Sequence, residues 1–277
     1  MKSWSRLSGL ILILSISGCG SMLSGALDAA ANRTGAGIGT AVGNKIGAAA
    51  GSAVAARMPA MWTPDLTPIY MNYLFTMAFH SGSYELAGTD YEVGEWTRWR
   101  MVDSEAQAAG DEPVEIERAF LHRTADGKEW WRVKYISATE EGRDSITVEA
   151  LMDPETGEFR RMRGMMPGEK EPKEMPVEEG SYTYTKPTQL TKESMEGALV
   201  GTETVRVPAG SYTADHLRYG TGYGTYDWWF NEDVPGGLVK YSRTHEQSDA
   251  EGMDPYNWTV ELLRSGTNAA SQMGVQF

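Results

Sequence analysis

Residues 130–136 read WWRVKYI, and the alternation of large apolar and basic side chains in this stretch decides the fold. Trp131 and Val133 alternate with Arg132 and Lys134. Successive side chains of a β-strand point to opposite faces, so strict alternation predicts a strand with one packed face and one solvated face. Such strands are typical of antiparallel sheets that face water on one side.

The same period of two recurs in EWTRWRM (95–101), TETVRV (202–207) and NWTVELL (257–263). Stretches rich in turn-forming residues separate these runs, namely ADGK, DPETGE, VPAGS, VPGG and MDPYN. Short strands with such spacing predict a mainly β fold. We expect an antiparallel sheet curled into an open or half β-barrel, preceded by a Gly/Ala-rich helical or flexible segment.

The β domain is predicted over residues 59–265, because several prolines mark its start. Residues 67–80, TPIYMNYLFTMAFH, fit either a short helix or an alternating strand. Residues 166–187 are rich in Pro, Glu and Lys and are predicted to form a solvated loop within the domain. Residues 266–277 are predicted to form a flexible tail.

The first eighteen residues have the order of a secretory signal peptide. Lys2 and Arg6 precede an almost wholly apolar run at residues 7–16, and two small residues follow it. The apolar run has about half the length that a membrane-spanning helix needs. We therefore predict that residues 1–18 are a signal peptide rather than a permanent anchor.

The stretch Ile16 to Cys19, ISGC, resembles the lipobox of bacterial lipoproteins. The resemblance implies that Cys19 carries a diacylglycerol and that the signal is cut before it. It also implies an acylated amino terminus, so fatty chains hold the protein at the membrane. Gly20, where an inner-membrane lipoprotein tends to carry Asp, implies an outer-membrane location facing the periplasm.

The lipidated segment, residues 19–58, carries a row of glycines at every fourth position. On a helix this row would form a groove that a second helix could approach closely. Glycines also destabilise a lone helix in water by about 1 kcal/mol each relative to Ala. A flexible tether and a self-associating or membrane-surface helix both remain open, and the spacing resembles glycine-zipper lipoproteins. The predicted helix-packing residues are Gly35, Gly39, Gly43, Gly47 and Gly51.

Charge and composition exclude several classes of function. The chain has a net charge of −13, and loss of the basic Lys2 and Arg6 with the signal makes it −15. Such acidity disfavours binding to nucleic acid. The four histidines show no metal-ligand spacing, so we predict no metal, no cofactor and no catalytic residues. His216 follows Asp215 on a predicted strand, which turns the two side chains to opposite faces and predicts a surface histidine.

Four aromatic residues are the candidate ligand-binding residues. Tyr226 and Trp228 are predicted on one face of a strand, and Trp229 on the other. Trp130 and Trp131 are likewise adjacent and are predicted to point to opposite faces. Half-exposed Tyr and Trp are typical of binding clefts and partner surfaces. The alternative is that both faces are covered and that these residues are core.

Four stretches across residues 91–245 resemble a motif of uncharacterised secreted bacterial proteins. They are YEVGEWTRWRM, MDPETGEFRRM, VRVPAGSYTADHLRY and YDWWFNEDVPGGLVKYS. Those proteins form open half-barrels like the periplasmic lipoprotein-carrier proteins, whose cavity receives acyl chains. The resemblance implies a curved sheet around an apolar cavity.

We expect a non-enzymatic outer-membrane lipoprotein that binds an apolar ligand or an envelope partner on its curved sheet. Its partners would be the membrane, through the lipid, and that ligand or protein. The alternative is an assembly lipoprotein that forms homo-oligomers through the glycine row. A hydrolase is disfavoured, because the sequence shows no catalytic signature.

Overall fold

A computed structural model of the chain describes residues 74–75, 78–79, 84–108, 110, 112–139, 142–177, 184, 187–221, 224–245 and 257–274. They belong to one compact unit, Gly51–Phe277. The predicted signal peptide, Cys19 and the glycine row lie outside the described residues. Among the residues described, no helix combines the length and apolarity needed to cross a membrane.

Strands make up most of the described chain. The short helices are α1 (Ser104–Ala108) and α2 (Lys192–Met195). The strands are β1 (Tyr84–Leu86), β2 (Trp96–Asp103), β3 (Val114–Arg123), β4 (Glu129–Thr139), β5 (Gly142–Met152), β6 (Phe159–Met165), β7 (Lys173–Met175), β8 (Thr188–Leu190), β9 (Leu199–Val207), β10 (Gly210–Thr221), β11 (Gly224–Phe230), β12 (Leu238–His245) and β13 (Trp258–Gly266).

Eleven of these strands form one antiparallel sheet in the order β7-β6-β5-β4-β3-β2-β13-β12-β11-β10-β9. Neighbouring strands are consecutive in sequence except at one point, where the first long strand, β2, pairs with the last, β13. The sheet is curved and its edges, β7 and β9, do not pair with each other. The predicted mainly β, antiparallel and open architecture is therefore confirmed.

One face of the sheet, here called the apolar face, carries the core. Residues that pair across an antiparallel ladder share a face, and Trp99 of β2 pairs with Ile116 of β3. Val133 pairs with Val148, and Ala150 pairs with Met162. All six side chains are buried. The apolar members of the alternating stretch 130–136, Trp131 and Val133, therefore lie in this core.

A short helical segment covers the apolar face over β4 and β6. Leu74, Phe75, Ala78 and Phe79 are helical and buried, at the spacing of one helix face. The ring of Phe75 lies 4.9 Å from that of Phe159. Of the two alternatives left open for residues 67–80, the four described residues are therefore helix.

A second cover comes from the parallel pair β1 and β8 and from the turn that follows β11. The Leu86 N–H donates to the Gly236 carbonyl at 3.2 Å, which fastens β1 to that turn. Gly236 and Gly237 both have left-handed φ values, +76° and +78°. A Cβ on Gly237 would lie 2.5 Å from the Leu86 Cβ, so the turn needs glycine for space as well as for conformation.

Two segments differ from their prediction. The stretch 166–187 contains β7, which pairs with β6, and buries Met166, Met175 and Tyr184. Scattered apolar side chains among charged ones hold it to the sheet. Residues 267–274, predicted to belong to a flexible tail, are held by hydrogen bonds, and Met273 is buried.

Candidate functional site

The second face of the sheet, here called the polar face, is a ladder of charged side chains. On each strand of the sheet at least one charged member faces an opposite charge on the next strand, although Arg264 of β13 also lies opposite Arg98 of β2. In spatial order from β9 to β7 the members are Glu203, Arg218 with His216, Asp227, Lys240, Glu261, Arg98 with Arg100, Glu115 with Glu117, Arg132 with Lys134, Glu149, Arg161 with Arg163, and Glu174.

Close ion pairs hold much of the ladder. Arg100 Nη2 lies 2.8 Å from Glu261 Oε2 and so joins β2 to β13. Arg132 Nη2 lies 3.0 Å from Glu117 Oε1, where both side chains are almost fully buried. Burial of two opposite charges as a hydrogen-bonded pair costs less free energy than burial of either charge without a partner. Most charges of the polar face are therefore paired, which makes it a poor surface for an apolar ligand.

The end of the chain crosses this ladder over β4 to β6. Glu149 is fully buried and accepts hydrogen bonds from the Ser271 hydroxyl and the Gln272 N–H, both at 2.7 Å. Arg163 donates to the Met273 carbonyl at 2.9 Å. Burial of a carboxylate requires such donors, so these contacts explain why the segment is ordered.

His216 lies on the polar face but is buried, which corrects the predicted surface histidine. Its Nε2 lies 2.6 Å from Asp227 Oδ1, and its Nδ1 lies 3.0 Å from Glu203 Oε1. Its ring stacks on that of Trp229 at 4.5 Å between centroids. The sequence argument considered only the adjacent Asp215, whereas the partners come from the neighbouring strands. Both ring nitrogens face carboxylates, so neither is left to activate a nucleophile.

Arg118 is the one charged residue buried within the apolar face in the part of the chain described. Its Nη2 lies 2.6 Å from Glu85 Oε1, and its Nε donates to the Tyr91 hydroxyl at 2.7 Å. Burial lowers the pKa of an arginine, but here the neighbouring Tyr91 and Glu85 outweigh it and raise the pKa of Arg118. Burial raises the pKa of Tyr91 to about 12.

The aromatic surroundings of Arg118 complete a closed cluster. Its guanidinium carbon lies 4.6 Å from the ring centre of Tyr91 and 5.2 Å from that of Trp99. Phe79 lies at 5.1 Å. Cation–π contacts of this kind strengthen when water is excluded. The cluster therefore ties β3 to β1 and to the helical segment, and its role is structural.

Half-exposed aromatic residues gather at one end of the apolar face, where β10 and β12 end and β11 and β13 begin. Tyr219 pairs across the ladder with Tyr226, Tyr226 with Arg243, and Arg243 with Trp258. Tyr219 is 62% exposed, and Tyr226 and Trp258 are half-buried. We call Tyr219, Tyr226, Arg243 and Trp258 the aromatic rim.

Contacts within the aromatic rim fix its side chains. The guanidinium carbon of Arg243 lies 5.3 Å from the ring centre of Tyr226. The rings of Trp258 and the buried Tyr241 meet edge to face at 4.8 Å. Leu199, 46% exposed, continues the same face beside Tyr219. Rigid aromatic side chains beside an exposed apolar residue are what a binding surface needs.

The predicted ligand-binding residues fall into three different environments. Trp131 is buried against Phe79, at 4.9 Å between ring centres, and stacks on Phe120. Trp228 is buried against Tyr84. Trp229 lies on the polar face beneath Lys240, 5.4 Å away. The remaining candidate, Tyr226, belongs to the aromatic rim, so the four residues do not meet in one site.

Sequence reasoning missed Tyr219 and Trp258 as neighbours of Tyr226. Trp258 belongs to the alternating run NWTVELL, and Tyr219 ends the stretch VRVPAGSYTADHLRY that carried the resemblance. The missing information was the pairing of β12 with β13 in register, which brings Trp258 next to Arg243. A metal centre is also unsupported within the described ranges, where no cluster of His, Cys, Asp and Glu could hold an ion.

Comparisons with known proteins give only distant likenesses. No family model matches the chain, and no curated protein matches it. An exported protein with a YmcC-like fold from Bacteroides fragilis is 11% identical, with a TM-score of 0.28, over 64% of this chain and 98% of that one. A DUF1329 family protein from Desulfovibrio piger is 12% identical, with a TM-score of 0.26, over 76% of this chain and 95% of that one. Scores this low carry no argument about function.

Proposed function

We propose that the chain is a lipid-anchored envelope protein that binds an apolar ligand or an envelope partner through the aromatic rim and performs no catalysis. The signal peptide and the ISGC stretch support export and acylation of Cys19. The proposed location is the outer membrane, facing the periplasm. Fatty chains on one residue would hold the domain there, since one acyl chain binds only marginally and two or more bind firmly.

The observation that carries the binding proposal is the exposure of the aromatic rim. Elsewhere on the apolar face the chain covers its own aromatics, as Phe79 covers Trp131 and Tyr84 covers Trp228. At the aromatic rim, Tyr219 remains exposed although its cross-strand partner is aromatic. Aromatic and arginine side chains are those enriched in the energetic centres of interfaces. The geometry favours a shallow surface over the deep cavity that the resemblance implied.

Site-specific photocrosslinking in cells tests this proposal. A benzoylphenylalanine at position 219 should form an adduct with a second polypeptide or a lipid, and mass spectrometry of the adduct distinguishes the two. The control is the same substitution at Val93, which is apolar, is 56% exposed and precedes β2 at the opposite end of the sheet. Equal labelling at positions 219 and 93 would refute a binding role for the aromatic rim.

The alternative, assembly through the glycine row, is supported by the spacing of the glycines alone. Replacing Gly43 and Gly47 with leucine would fill the proposed groove. If the row drives assembly, oligomers of the full chain should be lost while the crosslink at position 219 persists. If the aromatic rim is the functional surface, the crosslink should instead be lost when Tyr226 is replaced with serine.

A further inference from the structure

The two edges of the sheet are built differently. β7 has three residues and stands between Pro172 and Pro176. Short strands and prolines are the usual protection of a sheet edge, because a proline has no N–H to offer a partner. β9 has nine residues, contains no proline and is mostly exposed. The sheet is therefore closed to further pairing at one edge and open at the other.

The register of β9 shows which of its backbone groups are available. β9 and β10 are joined by the two-residue turn 208–209, and Val207 pairs with Gly210. Residues along an antiparallel ladder alternate between bonding their partner strand and pointing away from it. Because the backbone of Val207 bonds to Gly210 of β10, Thr202, Thr204 and Arg206 direct their backbone N–H and C=O groups away from β10.

We propose that β9 pairs in antiparallel fashion with β9 of a second copy of this chain, around a two-fold axis at Thr204. Thr204 then pairs with itself, and Thr202 pairs with Arg206 of the second copy. Two sheets join into one continuous sheet, and each copy offers the same surface. Closed two-fold pairing of this kind is the commonest symmetry of homo-oligomers.

Charge and a proline disfavour the registers with the two-fold axis at Glu203, Val205 or Arg206. A two-fold axis at Glu203 would oppose two carboxylates, and an axis at Arg206 would oppose two guanidinium groups, both of which are destabilising. An axis at Val205 would place Pro208 opposite Thr202, inside the regular ladder where the strand needs an N–H donor, whereas an axis at Thr204 places it opposite Val200, where a bulge already interrupts the register of β9. With the axis at Thr204, the exposed Arg206 instead approaches Asp215 of the other copy. Asp215 pairs with Thr202 and accepts its hydroxyl hydrogen bond at 2.7 Å.

The exposed apolar residues of β9 fit the same arrangement. Leu199 and Val200 are 46% and 57% exposed at the beginning of the strand. With the axis at Thr204 they lie beside Pro208 and Ala209 of the second copy, whose turn is apolar. The symmetry repeats this contact, so both copies cover their exposed apolar end.

Cysteine crosslinking tests the register, because the chain has a single cysteine, Cys19. In a full chain with Cys19→Ser, Thr204→Cys should give a disulfide-linked dimer on mild oxidation. Hydrogen-bonded antiparallel partners have Cα atoms about 5.5 Å apart, within the range of a disulfide. Thr202→Cys and Arg206→Cys should not crosslink alone, since each lies about 14 Å from its own copy, but an equal mixture of the two should.

Disruption of the edge gives the second readout. Sedimentation of the Cys19→Ser chain should give twice the monomer mass, and the additional Thr204→Lys should return it to the monomer mass. Thr213→Lys is the control, because Thr213 pairs with Thr204 from β10, is exposed and lies one strand inside the edge. A monomeric parent chain, a dimer that survives Thr204→Lys, or a Thr204→Cys chain that captures a different polypeptide would each overturn the proposal.

Discussion

Removal of the buried Arg118 charge should destabilise the domain far more than removal of an exposed arginine. Arg118 has 3% of its side chain exposed and pairs with Glu85, which has 16% exposed. Arg118→Met would remove the counter-charge of Glu85, which keeps only the Gln189 amide as a side-chain donor, and would leave the Tyr91 hydroxyl with Thr97 alone. Breaking a buried ion pair on one side costs about 3–5 kcal/mol.

Urea unfolding followed by tryptophan fluorescence measures this effect, since Trp99 lies beside Arg118. With a slope of about 3 kcal/mol/M, the expected loss lowers the unfolding midpoint by about 1 M or more. Arg123→Met is the control. Arg123 is 56% exposed and pairs with Glu129 at 2.9 Å, and such surface pairs contribute about 0–1 kcal/mol.

A double variant separates the ion pair from simple loss of packing. If the cost of Arg118→Met comes from the unpaired Glu85, adding Glu85→Met should recover a large part of it, as replacement of whole buried pairs by apolar residues does. An Arg118→Met variant as stable as Arg123→Met would refute the structural role of the cluster. A double variant no more stable than the single one would refute its electrostatic origin.

Three further predictions follow from other parts of the chain. Gly237→Ala should lower the free energy of unfolding by about 1–3 kcal/mol because of its left-handed φ alone, and by more because the new Cβ clashes with Leu86. Gly168→Ala is the control: Gly168 has φ +77° and nothing within 4 Å, so urea unfolding should show only the cost of the φ. The pKa of Tyr91 is about 12 in the folded state and 10.0 ordinarily. The neutral Tyr91 therefore contributes fully to the free energy of unfolding below pH 10, and about 3 kcal/mol is lost as the pH rises to 12. Tyr91→Phe should make the measured fall in stability over this range shallower, and an unchanged slope would contradict the assignment. Cys19→Ser should abolish incorporation of labelled palmitate and move the protein from the detergent to the aqueous phase of a Triton X-114 partition; continued membrane retention would refute the lipid anchor.

The strands and the fold class could be predicted because they depend on a local signal. Alternation along WWRVKYI places Trp131 and Val133 in the core whatever the neighbouring strand is. The turn VPGG was likewise readable, since two adjacent glycines with left-handed φ are needed there. Local rules of this kind need only the residues within a few positions of each other.

The aromatic rim could not be assembled from the sequence, because its members meet only through the register of β10 to β13. No local pattern specifies that register. The prediction of a surface His216 was wrong for the same reason, since Asp227 and Glu203 reach it from the paired strands β11 and β9. The pairing of β2 with β13 is still less local, because it joins residues about 160 positions apart, as in Arg100 with Glu261.

The cover of the apolar face was also beyond local reasoning. Residues 67–80 were compatible with a helix or a strand, so the sequence left open whether any segment would lie over Trp131. The helical Phe75 and Phe79 lie against Phe159 and Trp131 on the apolar face. The likeness to carrier proteins implied an apolar cavity there and gave no indication that the chain's own aromatic residues would cover this part of the sheet.

The ladder on the polar face shows how the chain accommodates many charged side chains on one sheet, several of them buried. Basic and acidic side chains are nearly equal in number there and alternate from strand to strand, so the sheet itself is close to neutral. The net negative charge of the chain therefore resides mainly outside the ladder. Exchange of a basic strand for an acidic one would place like charges opposite each other, which is unfavourable. The ladder thus disfavours such exchanges, while the buried apolar face fixes which side of each strand points inward.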